Sequence, residues 1–468
     1  MSDYSRFHLS EKPRIISAQI PGPRSQELLA LQQEIEGSVV SYPRSIPIAI
    51  ERAKGAVVED VDGNQFLDFF AGAGVVNLGH TNEEVLSYVT AQQEKLIHAL
   101  DFPTENKLSA IQKILAHLPE ELRDQYKVSF GGPTGSDAIE AALKLAKIKT
   151  GRDTIIAFTG GYHGMTSAAL SLTSDTAFRN RLTSLTPNVH FVPYSYCYRC
   201  PFKLDEANCK MACVDYLRNI LENSHSGIPK PAAIVIEPIQ GEGGNIVPRE
   251  GYLEALVKLA HAHDVLVIFD EIQSGFFRSG EFLAWMHTGA VPDIITISKG
   301  IGGVGLPLSA LIYRKDVEAW GPAAHIGTFR GNQASLAGTN GAFDFVDRYN
   351  LNEHTKKAGE RLINGLKALQ ENSAYIGDVR GRGLMIGVEL VKDKKTKEPF
   401  PALVKRFRNE CMQRGLIFEV GGHYNNVVRL VPPLIITDAI IDNALAIMEV
   451  ALAESESAVK ETVRMATV

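Results

Sequence analysis

The sequence predicts an α/β fold: a large domain built on a mostly parallel, seven-stranded sheet wrapped by helices, and a smaller α+β domain. Seven short apolar runs carry the first part: "KVSFGG", "TIIAF", "VHFVP", "AAIVIEP", "VLVIFDE", "IITIS" and "SALIYR". Each has the length and continuous apolar character of a strand buried on both faces. Between them lie segments with a 3.6-residue apolar period, such as "DAIEAALKLAKIKTG" and "YLEALVKLAHAHD". Strands alternating with such helices close into a parallel sheet. The 468 residues also exceed what one core usually holds.

Taken in order, residues 1 to about 36 read as an arm with a short helix in "RSQELLALQQEIEG". "GAVVEDVDGNQFLDFFAGAG" alternates apolar and polar residues around Asp62-Gly63, a hairpin signal. The seven runs and their helices occupy about 85 to 340. Beyond them the pattern predicts a helix near 352–371, strands in "LMIGVEL" and "VVRLVPPLI", and a last helix near 438–454. The expected domains are an arm and part of the small domain over 1–85, the large domain over 86–340, and the rest of the small domain over 341–468.

Apolar residues make up 45% of the chain and charged residues 22%, an ordinary globular balance. A net charge of −6 gives no basic footprint for nucleic acid. No apolar run has the length of a bilayer span, and "MSDYSRFHLSEKPRIIS" has no apolar signal-peptide core, so the expectation is a cytoplasmic protein without membrane partners. Four of the five cysteines crowd into "CYRCPFKLDEANCKMAC": Cys197, Cys200, Cys209 and Cys213. They suit either a structural zinc site or an insertion of free thiols.

Function turns on "ITISKGIGGVG". Gly300, Gly302 and Gly305 spell a G-x-G-x-x-G. A dinucleotide loop needs a strand before it, a helix opening inside it and an acidic residue some twenty positions on. The strand is present, but Pro307 and the next strand follow at once, and position 325 is histidine. The chain contains no Gly-Lys dipeptide, so a phosphate loop of the G-x-x-x-x-G-K type is excluded too. Lys299 is the alternative centre. It ends a buried strand, where desolvation favours the neutral amine that forms Schiff bases.

Its companions strengthen that choice. "VLVIFDE" ends in Asp270 and Glu271, carboxylates at the strand end that faces ligands in α/β sheets. An Asp there suits the ring nitrogen of pyridoxal phosphate. In "SFGGPTGSDAIEAALKLAK", Gly135, Ser136 and Asp137 open an amphipathic helix whose N-terminus favours a phosphate. Asp137 and Glu140 have capping-box spacing. Tyr162, in "FTGGYHGMT", follows a strand in a glycine-rich turn, where an aromatic ring either stacks on a planar cofactor or packs in the core.

In this order the motifs "GPTGSDAIEAALKLAK", "GGYHG", "IEPIQGEGG", "DEIQSGFFRSG", "ISKG" and "HIGTFRGN" resemble the class III aminotransferases, over roughly residues 40 to 450. The resemblance implies the fold type I of pyridoxal-phosphate-dependent transferases and a ping-pong exchange of an amino group between an amino acid and a 2-oxo acid. It implies that Lys299 forms the Schiff base with the cofactor and shuttles the proton, and that Asp270 pairs with the ring nitrogen. Tyr162 and Ile272 would cover the two ring faces, and Gln273 would meet the ring hydroxyl. Gly135 and Ser136 would hold the phosphate, with Thr328 reaching in from a neighbouring subunit, which implies a homodimer or a dimer of dimers. Glu237 would support the acid network. Arg429 would clamp the substrate α-carboxylate, with Glu242 masking it in the other half-reaction. No metal is implied.

"SYPRSIPIAIERAKG", "GTFRGNQ", "RGRGLMIGVEL" and "RLVPPLIIT" are most similar to diaminobutyrate–2-oxoglutarate transaminases within that family. Ornithine and 4-aminobutyrate transaminases carry an arginine right after "HG"; this chain has Met165 there. Arg44, Arg330 and Arg382 are the alternatives for a second substrate carboxylate. The N-terminal arm and the cysteine insertion look more like class III relatives that include racemases and epimerases, so an amino-acid racemase on the same scaffold is the alternative activity.

Overall fold

A computed structural model describes residues 3–180, 182 and 184–466. The chain divides into two compact units: Met1–Glu83 with Glu353–Val468, and Glu84–Asn352.

The first unit opens with the helix Pro23–Ile35. Asp62 caps it from the hairpin turn, its two carboxylate oxygens each accepting a backbone N–H, from Arg24 and Ser25, at 2.8 Å. Strands β1 (Ile50–Lys54), β2 (Val57–Asp60) and β3 (Gln65–Asp68) form an antiparallel meander. The expected hairpin pairs Val57 with Leu67 and Val58 with Phe66, all buried. Gly63 supplies the left-handed turn residue, at φ +83°.

The second unit is built on seven strands: β4 (Tyr126–Phe130), β5 (Ile155–Phe158), β6 (Val189–Val192), β7 (Ala233–Ile236), β8 (Leu266–Asp270), β9 (Ile294–Ile297) and β10 (Ala310–Arg314). Their order is β4-β10-β9-β8-β7-β5-β6. Strands β5 to β9 pair in parallel, and β10 runs antiparallel to both β9 and β4. This is the mostly parallel sheet the apolar runs predict. Strands β5, β7, β9 and most of β8 are buried throughout, so they lack inside–outside alternation. The helix Gly135–Thr150 lays Ala138, Ile139, Ala142, Leu145 and Ala146 into the same core. It ends at Gly151, in the left-handed conformation that a helix stop favours.

The glycine turn after β9 does not open toward a ligand at every glycine. A Cβ on Gly303 would lie 2.6 Å from the Gly338 carbonyl, and one on Gly338 would lie 2.6 Å from the Gly302 carbonyl. Two backbones therefore touch here, the turn and the helix Gln333–Tyr349. The Thr339 hydroxyl adds a 2.7 Å hydrogen bond to the Ile301 carbonyl. Close approach of the helix, not a dinucleotide, accounts for these glycines.

The first unit resumes after the helix Leu351–Asn372. Strands β11 (Ile376–Arg382), β12 (Met385–Leu390), β14 (Glu419–Gly421) and β15 (Val427–Leu430) form an antiparallel sheet ordered β11-β12-β15-β14, while β13 (Leu416–Ile417) joins β3 in parallel. Strand β15 stops at Leu430, short of "VPPLI", because Pro432 and Pro433 have no N–H for a ladder. The last helix runs on to Ala466 rather than ending near 454. Its extension, "ESESAVKETVRMA", holds neither glycine nor proline to stop it. Among the described residues no helix is long and apolar enough to cross a membrane.

Cys197, Cys200, Cys209 and Cys213 are free, half-buried thiols. Among the described residues no group of three or more His, Cys, Asp or Glu could hold a metal ion. Burial raises the Cys197 pKa and pushes the Cys213 thiol up to about 11. Cys209 instead accepts a 2.9 Å hydrogen bond from Arg249.

Substituting Gly338→Ala forces the turn and the helix apart. Overpacking of this kind costs about 1–3 kcal/mol, against about 1 kcal/mol of helix propensity gained. The expected net result is a lower urea midpoint with an unchanged m-value.

Candidate active site

Strands β4, β5, β7, β8 and β9 all deliver their C-terminal ends to one edge of the sheet. That edge is where open α/β sheets bind ligands. Asp270 closes β8 there and is 4% exposed. Its Oδ1 accepts the Ile272 N–H at 3.0 Å and the Thr296 hydroxyl at 3.4 Å. Its Oδ2 lies 2.7 Å from Nδ1 of His163, which is 3% exposed. Burial alone would lower the imidazole pKa, but the hydrogen bond and charge of Asp270, with Glu237 behind them, hold it above its ordinary value.

Glu237 follows β7 and grips the adjacent turn. Its Oε1 accepts the Tyr162 N–H at 3.0 Å, and its Oε2 accepts the Gly241 N–H at 2.9 Å. Full burial pushes its pKa up to about 7; the His163 charge works against that rise and the Asp270 charge adds to it. Tyr162 and His163 are thus tied to two different strand ends, one through its backbone and one through its ring. The Tyr162 ring is half-buried and meets Phe178 edge-on at 5.7 Å.

The helix Gly135–Thr150 opens after β4. Asp137 sits in its first turn and accepts the backbone N–H and the hydroxyl of Thr134, each at 2.9 Å. The cap partner of Asp137 is therefore Thr134 and not Glu140. Glu140 instead receives Thr166 and the Ala168 and Ala169 N–H groups, holding the start of the next helix. A Cβ on Gly135 would fall 2.8 Å from the Ile272 side chain, so the helix start and the turn after β8 are in contact. Ser136 accepts the Met165 N–H at 3.2 Å. Lys299, half-buried after β9, adopts φ +51°. A left-handed backbone at a lysine is costly and concentrates at functional positions.

Lys299, Asp270, Glu237, Tyr162, Gly135, Ser136, Ile272, Gln273 and Glu242 thus lie on turns of the second unit. Thr328 belongs to the same unit but is exposed, between exposed Ile326 and Phe329. Arg429 belongs to the first unit, buried on β15 opposite Gly387 of β12. Of the alternative arginines, Arg330 is held bidentate by Asp101, at 2.9 and 2.5 Å. Arg44 donates to the Val40 and Ser38 carbonyls of its own loop, and Arg382 is exposed on β11. His163 and Thr296 go unnoticed in the sequence. The signal for His163 was its place beside Tyr162 in "GGYHG", but only strand pairing brings it to Asp270.

The model of the aminotransferase class-III family matches residues 40–452. The chain belongs to the class III aminotransferase family. It is accordingly a pyridoxal-phosphate-dependent transaminase, an enzyme acting on an amino acid and a 2-oxo acid. The diaminobutyrate–2-oxoglutarate aminotransferase of Rhizobium meliloti is 40% identical over 88% of this chain and 89% of its own length. The protein of that name from Haemophilus influenzae is 41% identical over 87% of this chain and 90% of its own. Among solved structures, a Bacillus anthracis aminotransferase superposes with a TM-score of 0.84 at 28% identity, covering 92% of this chain and 99% of that one. A pyridoxal-phosphate-bound amine transaminase from an uncultivated Pseudomonas species gives 0.81 at 28% identity, covering 90% and 98%. All four are transaminases, and none supports the racemase alternative.

The class III residues fit the cofactor on their own chemistry. A buried carboxylate with a histidine behind it suits a protonated ring nitrogen. A glycine-opened helix start suits a phosphate. A lysine at the edge of the same sheet suits an aldehyde.

The raised Glu237 pKa carries a sign. A carboxyl whose folded pKa lies above its unfolded value favours the fold while protonated and loses that contribution as pH rises through the window between them. Here the window runs from the ordinary glutamate value of 4.5 to about 7. The melting temperature of cofactor-loaded Glu237→Gln should therefore gain on that of the parent as pH rises through this window, as read by paired thermal melts.

Proposed function

We propose that this transaminase interconverts L-2,4-diaminobutyrate plus 2-oxoglutarate with L-aspartate 4-semialdehyde plus glutamate. The observation that carries the substrate assignment is the 40% and 41% identity to two diaminobutyrate–2-oxoglutarate aminotransferases across nearly nine-tenths of each chain. When bound, pyridoxal phosphate supplies an electron sink for the bonds at the substrate Cα.

The chain's own residues supply the rest. Lys299 carries the proton to and from the substrate Cα at Nζ; its place after β9, beside the β8 strand that ends in Asp270, supports that role. Asp270 holds the ring nitrogen protonated, backed by His163 at 2.7 Å. Tyr162 and Ile272 flank the ring, and Gln273 meets its hydroxyl. Gly135 and Ser136 donate to the phosphate from the helix start. Glu237 fixes the Tyr162 backbone. Arg429 clamps the substrate α-carboxylate, a task suited to a buried planar fork, and Glu242 neutralises it in the other half-reaction. Both half-reactions share one pocket. The product keto acid must leave before the second binds, which gives ping-pong kinetics.

We further propose a cytoplasmic homodimer in which Thr328 serves the neighbouring copy. Its exposed setting, with Ile326 at 67% and Phe329 at 68%, supports a surface covered by another chain. The domain division proposed is a large cofactor-binding domain over 86–340, with 1–85 and 341–468 forming the small domain and arm.

The deciding assay mixes the cofactor-loaded enzyme with L-2,4-diaminobutyrate, ornithine, 4-aminobutyrate or neutral L-amino acids, with and without 2-oxoglutarate. Glutamate should form fastest from diaminobutyrate and only with 2-oxoglutarate. Racemisation without any keto acid would overturn the assignment. Lys299→Ala should abolish turnover and the bound-cofactor absorbance while leaving far-UV circular dichroism unchanged. Arg429→Lys should raise the KM for the amino acid at least about tenfold, in line with loss of a bidentate charge pair.

A further inference from the structure

Glu271 stands beside Asp270, yet none of the roles above uses it. It is 1% exposed, and its carboxylate is saturated by donors from its own loop. The Ser274 hydroxyl donates to Oε2 at 2.5 Å, and the Trp285 N–H donates to Oε1 at 2.8 Å. The Ala284 N–H adds a further hydrogen bond. These bonds join the turn that leaves β8 to the short helix Ala284–His287, on the far side of a loop that doubles back on itself.

The loop between these points is strained. Phe276 and Phe277 stand at φ +49° and +65°, consecutive left-handed residues without the freedom of glycine. Their rings pack into an aromatic cluster, Phe277 on Phe282 at 5.6 Å and Phe276 on Phe343 at 5.3 Å. The aromatic packing holds the far half of the loop. The near half, residues 272–274, is held by the Ile272 N–H on Asp270 at one end and by the Ser274 hydroxyl on the Glu271 carboxylate at the other. That half carries Ile272, whose side chain already abuts the Gly135 helix start, and Gln273.

We propose that Glu271 is a positioning residue for the cofactor: by tying the turn after β8 to residues 284–285, it fixes where Ile272 and Gln273 meet the ring. The inference rests on the proposed placement of Ile272 and Gln273 against that ring. Burial pushes the Glu271 pKa up to about 7, despite the hydrogen bonds that oppose the rise, so this carboxylate sits there at a cost its positioning must justify. Glutamine is the conservative control: its oxygen still accepts the Trp285 N–H, and its amide nitrogen can donate to the Ser274 hydroxyl. Alanine removes the tie.

The test compares Glu271→Ala, Glu271→Gln, Ser274→Ala and Asp270→Asn with the parent, as holoenzymes. The readouts are the pyridoxal phosphate Kd, the induced circular dichroism of the bound cofactor, kcat, and the KM for the amino donor. Glu271→Ala should weaken cofactor binding and lower kcat by about tenfold or more, with reduced induced dichroism and KM changed less than about twofold, as for misplaced positioning groups. Glu271→Gln should restore most of that loss. Ser274→Ala, which removes one donor, should move the same readouts in the same direction as Glu271→Ala by a smaller factor, and it decides the question if Glu271→Ala does not fold. Parental Kd, dichroism and kcat in the folded alanine variants would overturn the proposal, as would a lower melting temperature alone. Asp270→Asn separates the two levels. If it too leaves the Kd and spectrum unchanged, the placement of the cofactor fails; if it alone disturbs them, only the inference on Glu271 fails.

Discussion

The Asp270 carboxylate is removed from water and its oxygens need hydrogen-bond partners, and the second unit is arranged around supplying them. Here the Ile272 N–H, the Thr296 hydroxyl and the His163 ring converge on the two oxygens. Each comes from a different part of the sheet edge: the turn after β8, strand β9 and the turn after β5. The strand order is what makes this possible. Strand β8 lies between β7 and β9, and β5 lies next to β7, so the end of β9 and the turns after β8 and β5 all come within reach of one carboxylate. A shift of any of them would leave a donor or an acceptor unmet, at a cost of about 1–3 kcal/mol for a buried group.

The neighbouring acids take different partners. Glu237 and Glu271 are as buried as Asp270, and burial lifts both to about 7. Their hydrogen-bond partners are mostly backbone N–H groups of turns. Asp270 alone of the three is hydrogen-bonded to the imidazole. Three carboxylates within one sheet edge are thus sorted into one held by a histidine and two that brace the loops around it. The braces act on backbone, Glu237 on Tyr162 and Gly241, Glu271 on Ala284 and Trp285.

Much of this was legible in the sequence because it rests on local pattern. All seven strands of the large sheet follow from apolar runs, most plainly β5, β7, β8 and β9, since a strand buried on both faces needs no partner to be recognised. Asp270 and Lys299 stand out because they end such runs. What escaped notice depends on pairing. His163 matters only because β5 and β8 are brought together through β7, and no spacing in the chain encodes that. The partner of Asp137 was misjudged because the capping pattern fits two positions, and only the backbone shows that Thr134 precedes the first helical residue. Arg330 looked available for a substrate carboxylate, and Asp101, 229 positions away, already holds it. The last helix outran its expected end because the pattern offers no stop signal there.

Non-glycine residues with a positive φ occur at many turns of this fold, and three of them, Lys299, Phe276 and Phe277, follow strands β8 and β9, each costing about 1–3 kcal/mol. Sequence could have placed glycine at any of the three, and the neighbouring turns use it freely. At Phe276 and Phe277 the offsetting term is visible: two rings buried in an aromatic cluster with Phe282, Phe343 and His117. The turn beyond Lys299 is clamped by the contact of Gly303 with Gly338 and by the Thr339 hydroxyl on the Ile301 carbonyl. Of the glycines in "SKGIGGVG" it is Gly303 that lets the helix backbone press against this turn, four residues from the left-handed Lys299.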